Sequence, residues 1–308
     1  MNTRRDFIKK SITLGAVACA IPELGRAVVA EAAPVESTPK PVLVAVRDGS
    51  RSAMLDRALT ELGGLQAFLK PGQSVVIKPN IGWNVTPERG GDTHPELVAH
   101  LVKLCLAAGA KTVNVFDYTC NPWRDCYTNS GIEDAVKAAG GTMMPGNDKT
   151  YYREVEIPNG KVLKKARVHQ LVLDSDVFFN VPVLKHHSGS LMTASMKNLM
   201  GVIWDRSFYH RADLHQCIAD FVTFKRPTLN ILDAYHPMFR NGPRGLTVED
   251  LVEKRMLFAC TDIVAIDAAA ARVLDHDPAD IRHIAMAAQH NVGIMDLSKV
   301  DVRRVKLA

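Results

Sequence analysis

Short apolar runs alternate along the chain with longer stretches in which apolar residues recur every three or four positions. The short runs are rich in β-branched residues, which is typical of buried strands, whereas the longer stretches are typical of amphipathic helices. The predicted strands are 42–46, 74–77, 112–116, 177–181, 229–232 and 257–260. The predicted helices are 52–69, 95–108, 214–224, 264–274 and 281–289.

This order of elements predicts an α/β fold whose mostly parallel sheet carries helices on both faces, as in Rossmann-like proteins. The segment 151–169 differs, because alternating residues flank the turn Pro158-Asn159-Gly160-Lys161. That pattern predicts an inserted β-hairpin. We therefore expect one domain over residues 41–308, with 205–225 as the candidate position for a subdomain boundary.

Polar residues follow the ends of two predicted strands. Lys78 and Asn80 come after the second strand, and Asp117 comes after the third. Ligands of parallel α/β sheets bind outside the carboxyl ends of the strands. The sequence therefore predicts that these three side chains share a ligand-binding edge.

A second polar group follows the strand 177–181. It contains Lys185 and His187 and then Lys197 and Asn198. Lysines can hold an anionic substrate, and a neutral imidazole can ligate a metal or transfer a proton. A solvated loop is the plain alternative, but the position at a strand exit favours a site. We predict that Lys185, His187 and Lys197 are catalytic and that Asn198 binds ligand.

Three further positions are candidates for ligand binding. Thr93 and His94 precede a helix, where Thr93 can cap the helix and the backbone N–H groups attract anions. Asp233 ends the strand 229–232 and is expected to orient other site residues.

The last candidates lie around two predicted helices. His210 and His215 are five residues apart, which suits one helix face poorly, and together with His187 they are candidate metal ligands. Solvation at a helix start is the alternative for His215. Asp262 is expected to cap its helix, whereas Asp267 lies inside that helix and is predicted to be catalytic.

The N-terminus has the features of a twin-arginine export signal. Arg4 and Arg5 precede a short apolar stretch and several alanines, which predicts a signal peptide over residues 1–33. The apolar stretch is too short to cross a bilayer, so no stable membrane span is expected in the mature form. Residues 34–40 are predicted to be a linker. The expected partner is the twin-arginine translocase, which exports folded proteins to the periplasm or an equivalent extracytoplasmic compartment.

Charge and cysteine content narrow the function further. The 308 residues carry a net charge of +5, which is too small to indicate a nucleic-acid partner. Cys105, Cys120, Cys126, Cys217 and Cys260 follow the predicted signal, and none is part of a CxxC pair. This spacing disfavours an iron–sulfur cluster or a thiolate zinc site, while Cys120 and Cys126 could form a disulfide after export.

Several of these motifs occur in the order that is found in the family called domain of unknown function 362, which the chain resembles from about Pro41 to its C-terminus. The motifs are Lys78-Pro79-Asn80, Thr93-x-Pro95, Asp117, Asp176-Val177, Asn180-Val181-Pro182, Lys185-x-His187, Lys197-Asn198-x-x-Gly201, Gly242-Pro243 and Asp262-x-Val264-Ala265-x-Asp267. The segment 176–201 is also distantly similar to the N-terminal domain of nickel-pincer lactate racemases. That resemblance implies a divalent metal or a nickel-type cofactor, with Lys185, His187 and Lys197 as counterparts at the level of the domain.

Two hypotheses of different class follow. The first is an enzyme that uses a metal or organometallic cofactor on a small anionic substrate, as an oxidoreductase or isomerase. The second is a non-catalytic binding protein that captures a carboxylate or phosphate ligand with the same lysines. Turnover distinguishes the two.

Overall fold

The computed structural model describes residues 40–308. The predicted signal peptide with Arg4 and Arg5, and all but the last residue of the predicted linker, lie outside the described residues. Twelve strands are found within this part of the chain: β1 Val42–Arg47, β2 Ser74–Pro79, β3 Thr112–Val115, β4 Thr142–Met143, β5 Tyr152–Glu156, β6 Lys165–His169, β7 Val177–Val181, β8 Val183–His187, β9 Leu191–Thr193, β10 Leu229–Met238, β11 Met256–Cys260 and β12 Asp301–Lys306. The α-helices of the same residues are α1 Arg51–Glu61, α2 Pro95–Ala107, α3 Trp123–Asn129, α4 Ile132–Ala138, α5 Gln170–Asp174, α6 Ser195–Asn198, α7 Arg206–Arg211, α8 Leu214–Phe224, α9 Ile263–Val273 and α10 Arg282–Gln289.

Ten strands form one sheet, in the order β12-β1-β11-β10-β7-β2-β3-β4, with β8 paired to β10 and β9 paired to β8. Most pairs are parallel, but β11 runs antiparallel to both of its neighbours, and so does β9 to β8. The predicted α/β fold with a mostly parallel sheet is confirmed. The predicted hairpin is also present, as the separate antiparallel pair of β5 and β6.

Both faces of the sheet are covered, as the continuous apolar strands predicted. All five residues of β7 are buried. Phe178 packs into a core with Ile218 of α8 and Val264 of α9. Its neighbour Phe179 points to the other face and packs into a core with Met54 of α1.

The first helix is shorter than its apolar pattern predicted. It ends at Glu61 rather than at Leu69, and a separate 3₁₀ turn follows at Leu65–Ala67. Gly63 and Gly64 have φ values of 93° and 86°, a left-handed conformation that a helix cannot continue through. Leu69 is nevertheless buried, so its apolar character reflects packing of the loop.

The order of strands creates a switch point between β2 and β7. These strands are neighbours, but the chain continues from β2 outward to β3 and β4, and from β7 in the opposite direction to β10. Crevices at such points are where open α/β sheets bind ligands. In the described part of the chain, no helix is long and apolar enough to cross a membrane.

Candidate functional site

A cavity of about 370 Å³ lies at the carboxyl ends of β2 and β3 and against β8. We call it the central cavity. Eight of the residues predicted from the sequence line it: Lys78, Asn80, Asp117, Lys185, His187, Lys197, Asn198 and His210. The structure therefore brings the two polar groups of the sequence together, because β8 and α6 fold back towards the end of β2.

A buried ion pair forms the floor of the cavity. Lys78 Nζ lies 2.8 Å from Asp117 Oδ1, and both side chains are almost fully buried. Burial lowers the pKa of Lys78, and the Asp117 charge acts in the opposite direction. Asp117 Oδ2 also accepts a hydrogen bond from the Ile81 backbone at 2.7 Å. The pair is thus held in place on both sides.

Gly201 lets this ion pair approach the backbone closely. A Cβ atom at this position would collide with the Asp117 carboxylate and would lie 2.7 Å from Cε of Lys78. Only glycine fits between the chain after α6 and the ion pair. The glycine of the Lys197-Asn198-x-x-Gly201 motif therefore has a packing role.

Asparagine amides connect the cavity to the middle of the sheet. Asn198 accepts hydrogen bonds from Lys78 Nζ at 2.9 Å and from Asn80 Nδ2 at 2.8 Å. Its own Nδ2 donates to Asn180 Oδ1 at 2.9 Å, and Asn180 donates to Asn230 Oδ1 at 2.9 Å. Of the four asparagines, Asn180, Asn198 and Asn230 are buried, and each of the four side-chain amides has a hydrogen-bond partner. A buried polar network that is fully paired holds its members in one geometry.

Lys185 is the second buried cation. Its Nζ donates to Asn80 Oδ1 at 2.9 Å and to the carbonyl oxygen of Gly91. Burial lowers its pKa to about 8, while the nearby Asp92 charge opposes that shift. Burial likewise raises the pKa of Asp92 to about 7, against the effect of Lys185. Burial therefore disfavours the charge of each group, and the opposite charge of its partner favours it.

Lys197 differs from the other two cavity lysines. Its Nζ contacts the thioether sulfur of Met200 at 3.4 Å, and no carboxylate or carbonyl of residues 40–308 lies within hydrogen-bonding distance. Burial lowers its pKa to about 7, and the neighbouring cation of Lys185 lowers it further. Its environment therefore favours the uncharged amine more than water does.

His187 faces the same cavity as a neutral imidazole. Burial, and then the charges of Lys197 and Lys185, lower its pKa to about 2. Its Nδ1 accepts a hydrogen bond from the Gly189 backbone at 3.0 Å, which assigns the proton of the neutral ring to Nε2. His210 lies nearer the opening, and burial and the charge of Lys197 lower its pKa as well.

The predicted metal centre is not assembled. His187 and His210 line the central cavity, but His215 lies on α8, where its Nδ1 is 3.1 Å from Nδ1 of His283. Over residues 40–308, no three His, Cys, Asp or Glu side chains are placed to hold a metal ion together. Catalytic metal ions such as zinc are held by about three protein ligands. The donor set therefore does not fit a divalent metal or nickel-type centre bound by side chains alone.

Asp267 does not line the cavity, in contrast to its predicted catalytic role. It is fully buried, and its two carboxylate oxygens accept the backbone N–H groups of Ser195 at 2.7 Å and Met196 at 3.0 Å. These groups begin α6, which carries Lys197. Asp267 is therefore a positioning residue for that helix, whereas Asp262 caps α9 as predicted.

Three predicted ligand-binding residues do not line the central cavity. Thr93 accepts the Asn80 N–H at 2.8 Å and donates to Val181 O at 2.7 Å, which ties β2 to β7. His94 caps α2 through the Glu96 N–H. Asp233 forms a buried ion pair with Arg51 at 2.9 Å. In the structure, Thr93 thus positions the end of β2, whereas His94 and Asp233 stabilise the fold, and ligand binding by the three residues stays a prediction.

The sequence interpretation missed two charged residues of the site. Arg206, at the start of α7, lines the cavity and donates to the carbonyl oxygens of Tyr118 at 2.8 Å and Thr119 at 2.7 Å. Its guanidinium also lies over the Tyr118 ring at 4.2 Å. Asp92 lies behind the wall and accepts the Gly82 N–H at 2.8 Å. The Gly-rich loop around Asp92 was a usable signal, but nothing local marked Arg206.

The cysteines near the cavity are both free thiols. Cys120 is exposed and lies 3.5 Å from Arg206 Nη1, while Cys126 is buried in the core. The disulfide considered from the sequence is not formed in the structure.

Several known proteins resemble this chain. The model of the family described as "Domain of unknown function (DUF362)" matches residues 75–272. A thylakoid-associated protein of Synechocystis sp. is 30% identical over 254 residues, which cover 80% of this chain and 76% of that protein. Among solved structures, lactate racemase apoprotein from Thermoanaerobacterium thermosaccharolyticum matches 73% of the chain with a TM-score of 0.41 and 12% identity. A protein of Thermotoga maritima matches 77% with a TM-score of 0.43 and 10% identity. The chain spans 55% and 59% of these two proteins.

Proposed function

The chain belongs to the domain of unknown function 362 family, and from that premise we propose that it is an exported enzyme acting on a small organic anion in the central cavity. One observation carries the proposal: among the described residues, four basic side chains line the cavity and only one carboxylate does, and that carboxylate is already paired. The basic side chains are Lys78, Lys185, Lys197 and Arg206. Converging cations in a buried cleft attract a carboxylate or phosphate strongly, because water screens them little.

Two groups favour an enzyme over a passive binding protein. His187 is a neutral imidazole whose proton lies on Nε2, and burial lowers the pKa of Lys197 to about 7. Groups of this kind transfer protons or polarise a substrate oxygen beside the bound anion. A protein that only captured an anion would gain affinity from lysines that stay fully charged, so the lowered pKa of Lys197 supports chemistry.

Binding is tested by calorimetry of the full chain with lactate and with inorganic phosphate, each at neutral pH. We expect saturable binding by at least one of these anions, and we expect Lys185→Gln combined with Lys197→Gln to abolish it while the chain stays folded. Lys137→Gln, an exposed control, should bind as the wild type does. Unchanged affinity in the double variant would rule the cavity out. Binding without any turnover of small organic acids would support the binding-protein alternative.

The presence of a metal or nickel-type cofactor is tested by a separate experiment. His187 and His210 are the only imidazoles of residues 40–308 that line the cavity, which is fewer than the three protein ligands that a catalytic metal ion usually has. Elemental analysis of the protein from its native host measures whether a metal is bound. A stoichiometric metal that disappears in the His187→Ala/His210→Ala variant would show that a cofactor brings its remaining ligands with it.

Export is supported by the paired arginines and the short apolar stretch that follows them. The conservative double change Arg4→Lys/Arg5→Lys keeps the positive charge but removes the arginine pair. We expect it to retain the protein in the cytoplasm, as measured by fractionation of the native host. Equal export of both forms would contradict the proposed route.

A further inference from the structure

The environment of Lys197 favours a neutral, nucleophilic amine over a charged ammonium group. The residue lines the central cavity and is 9% exposed, and its one polar contact within the described residues is the Met200 sulfur at 3.4 Å. A protonated ammonium donates three hydrogen bonds, and burying it without strong acceptors is costly. The site therefore favours the neutral amine, which has a free electron pair.

The other two cavity lysines lack this freedom. Lys78 is paired with Asp117 and donates to Asn198, and Lys185 donates to Asn80 and Gly91. Both amines are held in place by acceptors within the fold. A desolvated lysine beside other cations is the arrangement that activates an amine for attack on a carbonyl group.

The backbone holds Lys197 in place for such a reaction. Both oxygens of Asp267 bind the first two N–H groups of α6, one turn or less before Lys197. Asn198, the next residue, is fixed by Lys78 and Asn180. The amine thus projects from an anchored segment into a cavity whose remaining cations can hold a carboxylate.

We propose that Lys197 forms an imine with a small organic anion that carries a carbonyl group, such as a 2-oxo acid. This inference rests on the proposed function and names its substrate class. The Nζ electron pair attacks the carbonyl carbon, and the carbonyl oxygen takes up the proton that the nitrogen loses, which gives a carbinolamine. The C–O bond then breaks as the hydroxyl leaves with a second nitrogen proton, so one amine and one carbonyl compound give one C=N bond and one water. No oxidant or reductant is required.

The neighbouring groups have defined parts in this step. Lys185 and Arg206 lie in the same wall and are available to the carboxylate of the substrate. The Nε2–H of His187 can donate to the carbonyl oxygen as negative charge develops on it. His210, nearer the opening, can pass protons to and from solvent.

The test uses pyruvate as the probe and sodium cyanoborohydride, which reduces an imine to a stable secondary amine. The full chain is incubated with both at neutral pH, and the adduct is located by peptide mass spectrometry. We expect one adduct per chain, at Lys197, with labelling at least about tenfold above that of the exposed Lys137, because a far larger fraction of its amine is unprotonated. Lactate has similar size and charge but no carbonyl, and it should compete with pyruvate without leaving an adduct.

Two further measurements separate the possible outcomes. Lys197→Met should remove the adduct while far-ultraviolet circular dichroism stays unchanged, and Lys165→Met, an exposed control, should keep the adduct. If lactate binds in the calorimeter but Lys197 is labelled no faster than Lys137, the imine is excluded and the anion site remains. If neither lactate nor pyruvate binds and no adduct forms, this inference and the proposed anion site both fail.

Discussion

The buried ion pair of Lys78 and Asp117 should be strongly coupled in a double-mutant cycle. The changes are Lys78→Met and Asp117→Asn, which keep the approximate shape of each side chain and remove its charge. At the observed 2.8 Å separation, the attraction is about 6 kcal/mol for an effective dielectric constant of about 20. Taking both charges out of water offsets most of this attraction, so the net value of the pair is small.

Either single change leaves one buried charge without its partner. We therefore expect each to lower the free energy of unfolding by about 3–5 kcal/mol, as is usual when one member of a buried pair is removed. The double variant leaves no unpaired charge, so its loss should be smaller than the sum of the two single losses by about 3–6 kcal/mol, the upper value being the full attraction between the two charges. The amide oxygen that Asp117→Asn introduces would still be able to accept the Ile81 N–H.

Equilibrium unfolding in urea, followed by circular dichroism at neutral pH, measures the cycle. The matched control is the exposed i,i+4 pair of Lys137 and Glu133, whose charged atoms lie 2.7 Å apart and for which we expect a coupling of less than about 0.5 kcal/mol. If the losses at Lys78 and Asp117 add within about 0.5 kcal/mol, the pair does not act as a unit. The interpretation of the cavity floor would then be refuted.

Three other changes test the site. Anion affinity should be highest below about pH 7 and should fall as the pH rises through about 7 and then 8, because Lys197 and Lys185 attract an anion only when they are protonated. Calorimetry from pH 6 to 9 measures this profile, and an affinity that does not change with pH would contradict it. Asp267→Asn, which replaces one acceptor oxygen by a donor, should lower stability by about 1–3 kcal/mol and weaken anion binding although it does not line the cavity, and unchanged binding would remove its positioning role. Gly201→Ala should separate the ion pair and reduce anion affinity. Gly72→Ala, just before β2, should leave affinity unchanged: its φ of 84° strains an alanine locally, but nothing lies within 4 Å of the added atom; equal affinities would show that the Gly201 contact relaxes freely.

The sequence predicted the edge of the sheet that carries the site, because strand ends are marked by sharp changes from apolar to polar residues. Lys78, Asn80 and Asp117 were found in this way, and each lines the cavity. The capping role of Asp262 was equally visible, since an aspartate directly before an apolar helix has one common use. Sequence patterns thus predicted the residues whose roles depend on neighbours close in the chain, such as strand ends and helix caps.

Residues whose place depends on distant contacts were harder to predict. Arg206 begins a helix of six residues, and it reaches the cavity only because α7 packs beside the loop after β3. Asp267 looked functional because a buried carboxylate inside a helix needs partners, and its partners, two backbone N–H groups of α6, are about seventy residues away. The edge strand β12 contains only two apolar residues, Val302 and Val305, among four charged ones, and therefore lacked the apolar run that marked the central strands.

The three cavity lysines therefore divide two tasks between them. Lys78 and Lys185 are anchored by acceptors that the fold supplies, so the positions of their amine groups are set before any ligand arrives. The amide chain from Asn230 through Asn180 to Asn198 holds Lys78 against the sheet. Lys197 alone among them has no strong acceptor in the described residues, so its protonation can follow the ligand. Two anchored lysines beside one unanchored amine suit the proposed carbonyl-bearing anion, because the anchored groups can bind its carboxylate while the amine is left free to react.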